Sequence, residues 1–178
     1  MAENNNDSVF HDGAVRGDLP KTPNPALQRL QPLIGKWHVE GPDVNGEIEY
    51  EWMEGGFFLI QRFDLVNFGT RYKGIEYSGW DEDTGTIRSR LMGTDGSRFT
   101  YTYVVDGDVL YYYFGDKGST MFSRGTIARD GRSIEGRWTM PGAPGGGYDY
   151  RLTRIDATRG ATAGRAGVDG NVRAQGRN

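Results

Sequence analysis

Between residues 35 and 154 apolar and polar side chains alternate with a period of two, the spacing of strands with one buried and one wet face. Segment 47–53 is the clearest: Ile48, Tyr50 and Trp52 share one face while Glu47, Glu49 and Glu51 share the other. Three carboxylates cannot all be buried, so the aromatic face is the inner one. Comparable rows run along 99–105 (Phe99, Tyr101, Tyr103, Val105), 109–113 (Val109, Tyr111, Tyr113), 134–140 (Ile134, Gly136, Trp138, Met140) and 148–154 (Tyr148, Tyr150, Leu152, Arg154). Each of these rows is expected to point inward.

Turn signals punctuate the pattern: Asn45-Gly46, Glu54-Gly55-Gly56, Asp83-Thr84-Gly85, Asp95-Gly96, Asp106-Gly107-Asp108, Asp116-Lys117-Gly118, Asp130-Gly131 and the loose stretch 141–147. Hairpins in succession make an antiparallel meander, and about ten strands escape exposed edges only by closing. The predicted fold is therefore all-β, a closed up-and-down barrel. One short helix precedes it over 24–32, with Asn24 as N-cap, Pro25 at the first helical position, Pro32 ending the run, and Leu27 and Leu30 on a common face.

Two charged residues ride on or near aromatic rows. Arg62 alternates with Phe58 and Ile60, and Glu76 alternates with Tyr72, Ser78 and Trp80. If inward, each needs a partner for its desolvated charge. In the opposite phase Phe57, Leu59 and Phe63, or Ile75 and Tyr77, face inward and the charges are solvated. The sequence leaves both phases open.

Residues 1–23 are polar and aperiodic, and the tail 158–178 is rich in Gly, Ala and Arg, so both are expected to be disordered around a barrel domain at 24–157. The tail carries net charge +3, leaving −6 on the rest of a chain whose total is −3. That balance argues against a nucleic-acid partner. With no Cys, disulfides, thiolate metal sites and a Cys nucleophile are excluded. With two His residues, a His-rich metal site is excluded as well, and no metal or other cofactor is expected. No basic leader with an apolar run and no membrane-length apolar stretch is seen, so a cytoplasmic location without membrane association is the default expectation.

Gly35-Lys36-Trp37 after a short helix, with Arg151 or Arg154 on the last strand, resembles the calycin superfamily. The resemblance implies a first-strand Trp plugging one barrel end beneath a last-strand Arg. Arg154 is preferred because it shares a face with Tyr148, Tyr150 and Leu152. Leu33-Ile34-Gly35-Lys36-Trp37, the stretch Tyr50-Glu51-Trp52-Met53-Glu54-Gly55-Gly56, Gly79-Trp80-Asp81 and Gly136-Arg137-Trp138 look more specifically like the calycin-like DUF1579 group of bacterial proteins, which implies no particular activity. The ten-stranded haem-binding nitrobindins are a neighbouring comparison that fails. Their Gly-x-Trp-x-Gly-x-Gly opening is broken here by Val39, there is no His after His38, and alternation sends His38 to the face opposite Trp37.

No Gly-x-Ser-x-Gly elbow or phosphate-loop ending is present, which leaves a pocket of phenols and indoles. The expected ligand-binding set is Tyr50, Trp52, Arg62, Glu76, Tyr101, Tyr103, Tyr111, Tyr113, Trp138 and Tyr150. Tyr and Trp combine broad apolar contact with one polar tip, which suits a small apolar or aromatic molecule. An inward Arg62 would add a site for an anionic group. Two other readings use the same residues: an isomerase or cyclase with Glu76 as base and Tyr hydroxyls as donors, or a barrel that binds protein, with a homodimer left open.

Overall fold

The structure, a computed structural model, describes residues 19–155. The disorder expected for 1–18 and 158–178 lies outside the described residues, and 19–23 form bends and irregular chain. The helix expected at 24–32 is a 3-10 helix, Pro25–Leu33, with the Asn24 side chain accepting from the Ala26 N–H at 2.9 Å. Pro32 lies inside the helix rather than ending it. The 3-10 form follows from the spacing of Leu27, Leu30 and Leu33: at three residues per turn they align in one stripe, and all three are buried. Such a long 3-10 run is held by what that stripe packs against.

Ten strands follow: β1 (Gly35–Gly41), β2 (Val44–Trp52), β3 (Phe58–Asn67), β4 (Thr70–Asp81), β5 (Thr86–Gly93), β6 (Arg98–Asp106), β7 (Val109–Phe114), β8 (Phe122–Ile127), β9 (Ser133–Thr139) and β10 (Gly147–Arg154). Each pairs antiparallel with its neighbours in sequence, and β1 pairs with β10 to close the barrel. The architecture is the one predicted. No helix among the described residues is long and apolar enough to cross a membrane.

The closing seam sets Trp37 opposite Arg154 on one side and Ile48 on the other, and directly paired residues share a face. Trp37 is fully buried, and its indole N–H donates to the Leu33 carbonyl at 2.7 Å. The Arg154 guanidinium carbon stands 4.2 Å from the indole ring centre. The same guanidinium donates to the carbonyls of Pro32 (2.8 Å), Gly131 (3.0 Å) and Ile34. Gly35 is required there: its φ is +116°, and a Cβ would stand 2.7 Å from an Arg154 nitrogen.

This plug divides the interior. The helix and the turns at 53–57, 82–85, 107–108 and 128–132 gather at one end, where Leu30, Leu33, Leu59, Leu110 and Ile134 are essentially inaccessible. The turns at 42–43, 68–69, 94–97, 115–121 and 140–146 form the opposite rim. Outside, ion pairs such as Lys36–Glu47 (2.7 Å) and Arg137–Asp149 (3.0 Å) cross between strands; half exposed, they contribute little stability.

Replacing Trp37 by Ala should cost about 3–5 kcal/mol, the range for emptying a buried aromatic site. Arg154→Leu should cost at least about 2 kcal/mol, because it leaves carbonyls unsatisfied. Arg151→Ala, on the exposed outer face, should stay within about 0.5 kcal/mol. Urea unfolding of the three variants checks this; equal effects at Arg151 and Arg154 would refute the plug.

Candidate ligand-binding cavity

The rim half of the barrel is not filled. A cavity of about 550 Å³ runs from the level of Ile48 and Ile134 up to Asn67, Thr70 and Asp95 on the rim. Its size results from aromatic side chains that lie back against the wall and are tied there by their polar tips. Tyr150 shows this best. Inward positions on the neighbouring strands are Gly125 and Gly136, where an added Cβ would come within 2.9 and 2.4 Å of the Tyr150 hydroxyl. That hydroxyl is hydrogen-bonded to Ser123 Oγ at 2.7 Å, and burial pushes its pKa up to about 12.

Glu76 projects inward from the middle of β4 and is only 3% exposed. The Tyr103 hydroxyl donates to its Oε1 at 2.7 Å, and the Tyr103 ring meets Tyr112 edge to face at 4.6 Å. The Tyr112 and Tyr50 hydroxyls meet beside them. Burial raises the Glu76 pKa, opposed in part by the Ser89 and Tyr103 hydroxyls. Burial also raises Tyr50, Tyr103 and Tyr112, so these phenols keep their protons and act as donors. At the rim Tyr101 touches Trp138 edge-on at 6.0 Å, and Phe68 sets its edge against Tyr148 at 5.6 Å.

Six of the ten predicted lining residues meet here: Tyr50, Glu76, Tyr101, Tyr103, Trp138 and Tyr150. The inward phase of Glu76, left open by the sequence, is thereby decided. The other four do not line the cavity. Trp52 shares the inner face but lies at the plugged end, its indole N–H donating to Gln31 Oε1 of the helix at 2.8 Å. Arg62 faces out and pairs with Glu51, because β2 sets Tyr50 opposite Gln61 and Ile48 opposite Phe63, leaving Arg62 opposite Glu49. With it goes the expected anion site.

Tyr111 and Tyr113 also face outward, stacked on each other at 5.8 Å with Arg124 over Tyr111. The inward residues of β7 are Leu110, Tyr112 and Phe114. Both faces of Val-Leu-Tyr-Tyr-Tyr-Phe are apolar, so alternation alone gives no phase. The signal was in the turn. A two-residue connection pairs Asp106 with Val109, hence Val105 with Leu110 and Tyr103 with Tyr112, and an inward Tyr103 commits Tyr112. On β3 the inward phase with Phe63, left open beside the Arg62 phase, is the one realised, and it brings Gln61 inward as well; the longer turn after Trp52 gives no count that would have decided it.

His38 lies on the outer face, between Glu47 and Thr153. Among the described residues no group of three or more His, Cys, Asp or Glu is placed to hold a metal ion. No protein-family model matches the chain, and no curated protein matches it. The geometry itself offers an aromatic chamber, open at the rim, with one carboxyl and several phenol hydroxyls in its wall.

The buried carboxyl has a consequence for stability. Between the unfolded pKa near 4.5 and the raised folded value, the native state holds a proton the unfolded chain has released, so stability falls as pH rises through that window. Glu76→Gln removes the titration. The variant should melt above wild type at about pH 8, with the gap closing as the pH falls toward about 4.5. A gap independent of pH, or of opposite sign, would show that Glu76 is not desolvated.

Proposed function

We propose that this protein is a small-molecule-binding barrel that holds a largely apolar or aromatic ligand in the cavity of its open half. The carrying observation is the contrast between the two halves: one end is packed to exclusion around Trp37, while the other keeps a chamber of about 550 Å³. That volume is within the roughly 300–1,000 Å³ of small-molecule sites. Protein interiors otherwise close voids larger than a water molecule. The Trp37–Arg154 plug and the ten-strand closure support a place among calycin-like barrels of the DUF1579 kind, and a cytoplasmic, nucleic-acid-independent role belongs to the same reading.

A second reading rests on the Tyr103–Glu76 hydrogen bond, which would serve an isomerase or cyclase as an acid–base pair. Native mass spectrometry of the freshly purified protein separates the two: a binder retains its compound unchanged, whereas an enzyme converts it on incubation.

Nile red, a neutral planar dye, should bind with one site per chain. Leu91→Trp, which enlarges a side chain in the cavity wall, should weaken it at least about tenfold. Arg62→Leu, on the outer surface, should bind as wild type does. Binding that ignores Leu91→Trp would place the dye elsewhere and refute the cavity as the site.

A further inference from the structure

Resting on the ligand-holding reading above, we propose that the cavity's ligand carries a protonated aliphatic amine that seats against Glu76. The charged side chains along the cavity are Glu76, Asp95 and Arg71. Arg71 is already committed: its Nε and Nη2 donate to both Asp64 oxygens at 2.9 and 2.7 Å, on the outer face. Asp95 sits in the rim turn, accepting from the Ser97 N–H at 2.9 Å. Thus the chamber has an acid in its wall and a second acid at its mouth, and among the described residues the one cation along it, Arg71, pairs with Asp64, which Lys73 also approaches at 3.3 Å, rather than with either.

The groups facing Glu76 are neutral: Tyr103 and Tyr101 from β6, Tyr50 from β2, Tyr112 from β7, Tyr72 from its own strand, the Ser89 hydroxyl from β5, and Gln61, its partner on β3. Phenols donate hydrogen bonds to a carboxylate but cannot cancel its charge. A carboxylate has about four acceptor sites, so the Tyr103 bond leaves capacity on the cavity side. An alkylammonium supplies what is missing, as donors for those sites and as the counter-charge for a carboxyl that is 3% exposed. Electron-rich ring faces around it attract the same cation. A carboxylate ligand meets the reverse: like charge at wall and mouth, with the one guanidinium along the cavity held by Asp64. An alcohol could share a hydrogen bond with Glu76 but would leave the charge mismatch as it is.

The test uses a matched series of one aromatic body with three tails: tryptamine, tryptophol and indoleacetate, with Nile red as a charge-independent reporter of the cavity. On wild type, calorimetry or dye displacement should rank tryptamine tighter than tryptophol by at least about tenfold, and indoleacetate weakest. Glu76→Gln, which keeps the shape and a hydrogen-bonding tip, should bring tryptamine down to the level of tryptophol while Nile red still binds. If tryptophol equals or exceeds tryptamine on wild type, or if no member binds while Nile red does, the amine inference is overturned and the ligand-holding reading stands. The same holds if the amine preference survives Glu76→Gln. Should Nile red also fail to bind, the ligand-holding reading falls and takes the inference with it.

Discussion

The guanidinium of Arg154, stacked on the Trp37 indole, is the contact on which the rest of the structure depends. Among the described strands it lies on the only seam that joins ones distant in sequence, β1 and β10. All other strand pairs form between neighbours along the chain, at the small cost of closing a short loop. The seam must be specified by something that recognises both ends of the chain at once. One cation does this by meeting the indole of β1, the carbonyls of Pro32 and Ile34 before it, and the Gly131 carbonyl in the turn between β8 and β9. Removing the arginine would free several donor–acceptor pairs and uncover a large ring in one step.

Sealing one end permits openness at the other. The leucine stripe of the 3-10 helix and the apolar residues beneath it bury enough surface to hold the fold, so the rim half need not collapse. Its tyrosines are kept apart by their hydroxyls: Tyr150 is tied to Ser123 and Tyr103 to Glu76. A phenylalanine at either site would lack the tether and leave a buried oxygen without its partner. The polar atoms that make the chamber chemically specific thus also hold its walls apart.

Glu76 is costly where it sits. A carboxyl 3% exposed, among neutral hydroxyl and amide groups of the described residues, weakens the native state as it ionises. Structural needs explain the tyrosines, which pack and tether. They do not explain a carboxyl, since an amide would accept the Tyr103 bond without titrating. The residue least useful to stability is accordingly the one that most restricts what the cavity can receive.

The sequence by itself determined the closed barrel, about ten strands and the inward phase wherever one face was plainly polar; the plug was an expectation carried only by a family resemblance. Glu47, Glu49 and Glu51 fix Tyr50. It did not determine the phase of strands apolar on both faces, such as β7, or of strands mixing charge with aromatics, such as β3. On these the desolvation energy that breaks the tie is absent or evenly split. Register decided them: a partner strand with a fixed face imposes it on the residue opposite, as Tyr103 does on Tyr112 and Tyr50 on Gln61. Nor does a strand's alternation say how far along the barrel axis a side chain lies. Trp52 and Tyr50 share a face, yet one helps to seal the plug and the other lines the chamber, because only the closed tertiary structure places the helix at one end and leaves the other unfilled.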